Sequence, residues 1–296
     1  FQEKVFADDP LLALMFTQEA QAWVDLAAHP NVARAEFVQE IEGKPVLFLE
    51  YVSGGDLSRW IGTPRLTGRP AEAVRLALEF CDGMAHLRVR GVEAHRDIKP
   101  QNCLLTETGR LKITDFGLAK VAEDLVRGAA GTATHMPPEQ FMSAKSVGVA
   151  ADVYSFGVML FQMLTGRLPF AGESWEDFEM AHMFQLPPVE QIEHAGLRAV
   201  VGKCLDKQAE ARYENFVVLR GELEGIYREL TGKAAPAPAA AIPVESDPGH
   251  WANKGFSLAA LGKVDRAKEC FGKALELDPK SAAANVGLGN VWLAKG

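Results

Sequence analysis

Four side chains able to do chemistry, Asp97, Lys99, Asn102 and Asp115, fall in one short part of the chain, within His95-Arg96-Asp97-Ile98-Lys99-Pro100-Gln101-Asn102 and Asp115-Phe116-Gly117. Together they supply a carboxylate, a cation two residues on, and two oxygen-bearing side chains suited to a hard metal ion. That set is what moving a phosphoryl group requires. The reaction leaves little covalent chemistry to the protein, so alignment and charge neutralisation dominate. One acid must accept or orient the hydroxyl proton, and others must hold the magnesium that shields the phosphates.

The elements that position these residues can be read from the pattern. Cys103-Leu104-Leu105, a turn from Thr106 to Gly109, and Arg110 to Thr114 form a strand-turn-strand between Asn102 and Asp115. Val153 to Leu164 is apolar almost all round and too short to span a bilayer, which predicts a buried core helix. Near the start, Phe16 to Ala20 opens an amphipathic helix with Leu14, Ala22, Trp23 and Leu26 at helical spacing, and His29-Pro30-Asn31-Val32 ends it. Ala33 to Gln39 and Pro45 to Tyr51 read as a hairpin around Glu42-Gly43-Lys44.

HRDIKPQN followed by DFG resembles the catalytic loop and metal-binding turn of the eukaryotic-type protein kinases, and the combination is specific. The resemblance covers residues 11 to 230 and implies an α+β, bilobal fold with a helical C-lobe. It implies ATP and Mg2+ as cofactors. By the same resemblance Asp97 is the catalytic base, Lys99 stabilises the transferring group, and Asn102 and Asp115 are the magnesium ligands. Glu19 is the carboxylate of the family's C-helix. Glu50, Val52, Asp56 and Leu104 are the positions expected at the nucleotide, with Leu49 behind the adenine, although Gly54 and Gly55 read equally well as a plain turn. Thr132 matches the substrate-loop threonine that hydrogen-bonds the catalytic aspartate and lysine in Ser/Thr-specific members. Glu139, Asp152 and Arg212 match structural positions, with Arg212 expected to pair with Glu139. Two departures stand out. His135 replaces the usual aromatic residue and Pro137 the usual alanine, so peptide preference is not inherited. No Ser, Thr or Tyr lies between Asp115 and Gly131, which excludes switching by phosphorylation there.

No glycine-rich phosphate loop and no Val-Ala-x-Lys strand precede Glu19. Lys4 is the one lysine ahead of it, and Phe1-Gln2-Glu3 beside it do not match the family's pattern. The N-lobe is therefore expected to be incomplete, and this stretch alone inactive. Beyond Leu230 the composition turns Ala/Pro-rich, predicting a semi-extended linker over 232–247 that separates a kinase domain over 1–231 (C-lobe from about 54) from a helical segment over 248–296. In that segment Trp251, Gly255, Leu258, Ala267, Phe271, Ala274 and Pro279 resemble a tetratricopeptide repeat, and Gly255 to Gly289 and Gly262 to Gly296 both span 34 residues. Trp251, Leu258 and Phe271 are expected to fill the gap between two helices. One full and one partial repeat cannot bury their apolar faces, so the chain is expected to continue, and the alternative is a plain helical hairpin packed back on the kinase. The repeats imply a protein or peptide partner.

A net charge of −8 argues against a nucleic-acid or membrane-surface binder. Cys81, Cys103, Cys204 and Cys270 lack metal-ligand spacing, which suits a reducing cytoplasm. No membrane segment is visible in the sequence. The resulting expectation is an ATP-dependent protein serine/threonine kinase acting on protein hydroxyls, with a repeat module for partners. The alternatives are a pseudokinase and a repeat-based scaffold or adaptor.

Overall fold

The computed structural model describes residues 20–41, 44–116, 133–142, 148–244 and 246–293. These fall into two compact units, the larger from residues 30–32 and 52–240 and the smaller from residues 20–29, 33–51 and 241–293. Glu19, Thr132, Gly117 and Lys4 lie outside the described residues.

The larger unit is mostly helical. Its helices are α1 (Pro70–Val89), the short α2 (Pro138–Met142), α3 (Val149–Thr165), α4 (Trp175–Phe184), α5 (Ala195–Cys204) and α6 (Phe216–Thr231). Helix α3 runs longer than its apolar sequence suggests, from Gly148 to a left-handed Gly166 (φ 78°) that ends it, and its residues from Ala151 to Phe161 are buried. Because α3 has no polar face, other helices must surround it. Phe156 of α3 stacks on Phe80 of α1 at 5.0 Å, and Phe216 of α6 meets both rings edge-on at 5.7 and 5.8 Å. This aromatic junction fixes α1, α3 and α6 together, and so the platform under the catalytic segment.

On that platform sits a hairpin of two three-residue strands, β3 (Cys103–Leu105) and β4 (Leu111–Ile113). Strands this short do not hold their own geometry. Side chains of α1 do it instead: Glu79 Oε2 accepts the Leu111 N–H at 2.8 Å, and Arg75, ion-paired to Glu72 and Glu79, donates to Gly109 O at 2.9 Å. Asn31 adds a bond to Leu111 O at 2.9 Å and accepts the Ile113 N–H at 2.9 Å.

The smaller unit contains helical residues 20–25, the antiparallel pair β1 (Ala35–Ile41) and β2 (Lys44–Leu49), and three helices, α7 (Pro248–Ala260), α8 (Val264–Leu277) and α9 (Ala282–Leu293). The hairpin strands are offset by about two residues at each outer end from the sequence reading, where residue type alone gives no boundary signal. Phe271 of α8 is fully buried between two glycines. A Cβ on Gly255 of α7 would lie 2.6 Å from its ring and one on Gly287 of α9 2.3 Å, so both helices approach closely only without side chains there. Leu258, Ala267 and Ala274 are buried as their spacing suggests. Trp251 is half-buried, with the Lys273 ammonium of α8 4.3 Å from its ring centre.

The Ala/Pro-rich segment forms neither helix nor strand, yet it is latched to the larger unit. Arg220, buried against Asp82 at 2.6 Å, donates to Pro236 O at 2.7 Å, and the Ala239 N–H reaches Asp82 at 3.3 Å. Proline removes donors but keeps carbonyls, so such a segment can still be read by a buried arginine. Among the described residues no helix is long and apolar enough to cross a membrane.

Candidate active site

Asp152, in the first turn of α3, organises the loop that carries Asp97. Its carboxylate accepts the His95 N–H at 2.7 Å and the Arg96 N–H at 2.9 Å. Arg96 has φ 71° and Asp115 φ 58°, left-handed conformations that cost a non-glycine residue about 1–3 kcal/mol and persist only when neighbours impose them. The two bonds from Asp152 impose the first. Burial raises the Asp152 carboxyl to about 7, opposed by the hydrogen bonds from Arg96 and His95.

His95 ties this loop to the end of β4. Its ring is 1% exposed, Nε2 lies 3.0 Å from Thr114 O, and Nδ1 accepts the Asp97 N–H at 3.3 Å. Those partners fix one tautomer, with the proton on Nε2. Burial lowers the pKa of His95, so the ring bridges as a neutral group. Sequence reasoning assigned His95 no role, although its place at the head of the motif was the available signal. The Arg75–Glu79 support of the hairpin carries no local signal, since its partners are more than thirty residues away along the chain.

The loop aims its side chains at one another. Lys99 Nζ lies 2.7 Å from Asp97 Oδ2 and 2.9 Å from Oδ1. Asn102 Nδ2 donates to Asp97 O at 2.7 Å and to Asp97 Oδ2 at 2.8 Å. With the amide nitrogen committed to two acceptors, the side chain's remaining polar atom is the acceptor Oδ1. Thr114 N–H donates to Asn102 O at 3.0 Å, which places Asp115 next in line after a residue already bonded to the loop. Among the described residues neither Asn102 Oδ1 nor the Asp115 carboxylate has a hydrogen-bond partner. One neutral and one anionic oxygen donor fit magnesium.

Other expected positions are distributed as follows. Asp56 and Leu104 form a backbone bridge, and Gly54 N–H donates to Leu105 O at 2.9 Å. A Cβ on Gly54 would sit 2.3 Å from Leu105 O, so the glycine is required by close approach to β3 and not merely by a turn. Asp56 also caps the short 3-10 turn Leu57–Arg59 through the Ser58 N–H at 3.0 Å. Val52 belongs to the larger unit and Glu50 to the smaller, where Glu50 Oε1 accepts the Arg34 N–H at 2.8 Å. Arg212 meets Glu139 through two bonds of 2.7 and 3.0 Å.

His135 is buried, with Nδ1 at 2.9 Å from Thr134 Oγ1 and Nε2 at 3.2 Å from Gln162 Oε1. Burial pushes its pKa down to about 4 from 6.5, against the Gln162 hydrogen bond, which raises it. A histidine whose folded pKa lies below its unfolded value binds its proton first in the unfolded chain. Stability is therefore lost as pH falls from about 6.5 toward about 4. His135→Phe is expected to flatten that loss by up to about 1.4 kcal/mol per pH unit. Urea midpoints of both proteins between these pH values check it, and parallel slopes exclude His135 as the cause.

Comparison with known proteins gives this arrangement a family. Residues 9–220 match the protein kinase domain, and residues 250–281 match the tetratricopeptide repeat. The chain belongs to the protein kinase family. Serine/threonine-protein kinase Pkn1 of Myxococcus xanthus is 33% identical over 228 residues, which is 73% of this chain and 32% of that protein. Serine/threonine-protein kinase PknB of Mycobacterium leprae is 32% identical over 245 residues, 78% of this chain and 38% of that protein. The chain thus spans about a third of the length of the curated relatives it matches. The fold is that of a protein kinase domain with a sheet-poor N-lobe and a helical C-lobe, joined to repeat helices. Family membership implies ATP as phosphoryl donor and magnesium as the usual metal.

Proposed function

We propose that this protein is a serine/threonine kinase that transfers the γ-phosphoryl group of ATP to hydroxyls of a protein substrate. The observation that carries this reading is the Asp97 carboxylate gripped at once by Lys99 and Asn102 in a loop pinned by Asp152. Asp97 is thereby oriented to take the proton of an incoming hydroxyl. Lys99, ion-paired to it, would neutralise charge on the group being transferred. Asn102 Oδ1 and the Asp115 carboxylate would hold magnesium, which when bound shields the phosphate charges. Asp56, Leu104, Val52 and Glu50 would meet the nucleotide, Glu19 would anchor its lysine, and Thr132 would bind Asp97 and Lys99 from the substrate loop. Arg212, Glu139 and Asp152 serve structure.

The lysine two residues after Asp97 and the similarity to serine/threonine-protein kinases support serine and threonine over tyrosine. All four cysteines are buried free thiols, which supports a reducing, cytoplasmic setting. The repeat helices would take a protein or peptide partner, and a net charge of −8 disfavours nucleic acid. The kinase domain is taken as residues 1–231, the linker as 232–247 and the repeats as 248–296.

The test is transfer from γ-labelled ATP with magnesium to a basic acceptor protein by the full-length protein, followed by phosphoamino-acid analysis. Label is expected on serine and threonine, and Lys99→Ala is expected to lower kcat about 10²-fold. Label confined to tyrosine, or undiminished kcat in the lysine variant, overturns the reading.

A further inference from the structure

The loop from Trp60 to Arg69 joins the 3-10 turn Leu57–Arg59 to α1 and contains neither helix nor strand. No Asp or Glu lies between Asp56 and Glu72, whereas Arg59, Arg65 and Arg69 do, in a chain whose net charge is −8. Among the described residues the exposed serine and threonine side chains are Ser53, Thr67, Thr108 and Ser246. The Ser53 hydroxyl donates to Glu107 at 3.1 Å, and that of Thr108 pairs with Thr106 at 2.9 Å. Ser246 stands between Glu245 and Asp247, which would repel an added anion. Thr67 stands two residues from Arg65 and two from Arg69, and its hydroxyl has no partner among the described residues.

The loop presents this hydroxyl to solvent. Leu66, 1% exposed, is its anchor, and the Leu66 and Thr67 N–H groups donate to Thr63 O at 3.1 and 2.9 Å. Gly68 follows at φ 69°, with nothing within 4 Å of where a Cβ would lie, so the chain is free to bend outward there. The Arg65 guanidinium lies 4.7 Å from the Trp60 ring centre, a contact that spends none of its N–H donors. Arg69 lines a cavity of about 320 Å³ together with Gly68, Ala71, Arg75 and Tyr227. Glu72, also at that cavity, is already bonded at both oxygens by Arg75, at 3.1 and 2.7 Å. Among the described residues neither the Arg65 nor the Arg69 guanidinium makes a hydrogen bond. Two uncommitted cations and open space thus surround an unused hydroxyl.

We propose, resting on the kinase reading above, that Thr67 is a phosphorylation site of this protein, modified by a second copy and its phosphate then held by Arg65 and Arg69. In the transfer, Thr67 Oγ1 forms a bond to the γ-phosphorus of ATP as the bond to the bridging oxygen of ADP breaks. The hydroxyl proton passes to Asp97 of the second copy. A second copy is needed because Thr67 precedes the start of α1, whereas β4, which leads to Asp115, packs along the middle of that helix. A Cβ on Gly83 would lie 2.7 Å from the Ile113 side chain, and α1 rises about 20 Å from Pro70 to Gly83. The product carries close to two negative charges and three acceptor oxygens, which suit the forked donors of arginine. The loop can therefore carry a phosphate although no Ser, Thr or Tyr lies between Asp115 and Gly131.

Full-length wild type, γ-labelled ATP and magnesium are mixed with affinity-tagged full-length Asp97→Asn as acceptor, and the acceptor is digested with trypsin. The Arg69–Pro70 bond resists trypsin, so the peptide Leu66–Arg75 is released with Thr67 as its one hydroxyl side chain. Label is expected in that peptide and is expected to vanish from it when the acceptor also carries Thr67→Val. After nucleotide is removed, phosphorylated wild type is expected to melt about 1–3 °C above Thr67→Val treated alike, the scale of a partly exposed ion pair, and Arg65→Gln/Arg69→Gln is expected to lose that gain. An unlabelled Leu66–Arg75 peptide beside a labelled basic acceptor protein overturns the Thr67 site and leaves the kinase reading standing. Transfer to neither overturns both. Label on Thr67 of wild type but not of the Asp97→Asn acceptor overturns transfer by a second copy. A gain in Tm that survives in the arginine variant, or no gain in wild type, overturns the hold by Arg65 and Arg69.

Discussion

Asp97→Asn is expected to lower kcat about 10³-fold, inside the range for removing a positioned acid or base, while nucleotide binding and melting temperature stay near wild type. The local geometry explains why the change is so selective. Asp97 Oδ2 is the oxygen shared by Lys99 at 2.7 Å and Asn102 at 2.8 Å, so an asparagine can keep its one carbonyl oxygen there and hold both partners. The other position becomes an NH2 group facing Lys99, and it cannot accept a proton. The loop backbone is fixed independently by the two N–H bonds to Asp152 and by His95 against Thr114 O, so the substitution leaves its path unchanged. A 10³-fold loss corresponds to about 4 kcal/mol of barrier. Single-turnover transfer and titration with a fluorescent nucleotide separate the two quantities. Transfer within tenfold of wild type removes Asp97 from the reaction, and with it the assignment of this loop.

The parts legible in the sequence are those whose determinants are local. The Asp97-to-Asn102 spacing, the apolar run that became α3, and the placing of Gly255, Leu258, Ala267, Phe271 and Ala274 each put their evidence within one element or one repeat. The illegible parts rest on pairings distant in sequence. Nothing near Glu79 announces that its carboxylate will accept the Leu111 N–H, and nothing near Asp82 and Arg220 announces that they will hold Pro236 and Ala239. The two lysines over the Trp251 ring are likewise invisible locally, since Lys273 lies more than twenty residues further along the chain. The same limit explains the hydrogen bond between β1 and α7. Ser257 reads as an ordinary small helix residue until Val38, more than two hundred residues away, is beside it.

Arg212→Met is expected to destabilise the larger unit by about 3–5 kcal/mol, the cost of stranding one member of a buried ion pair. The Arg212 side chain is 0% exposed, and all five of its N–H donors are used. Two go to Glu139 at 2.7 and 3.0 Å, and three to the carbonyls of Ala150, Asp206 and Lys207 at 2.9, 2.8 and 3.2 Å. The guanidinium also lies 4.8 Å from the centre of the Tyr154 ring. Methionine fills much of the volume but leaves Glu139 charged and three carbonyls without donors, so the loss is one of polar satisfaction and not of packing. That account distinguishes two variants. Glu139→Gln keeps an acceptor for the arginine and is expected to cost less, about 1–3 kcal/mol. Arg212→Met combined with Glu139→Leu removes the stranded carboxylate and is expected to recover part of the single-variant loss. Urea unfolding followed by tryptophan fluorescence, with the slope of each transition unchanged, measures all three. A single-variant loss below about 1 kcal/mol, or no recovery in the double variant, shows that the buried pair does not hold α2 to the start of α3.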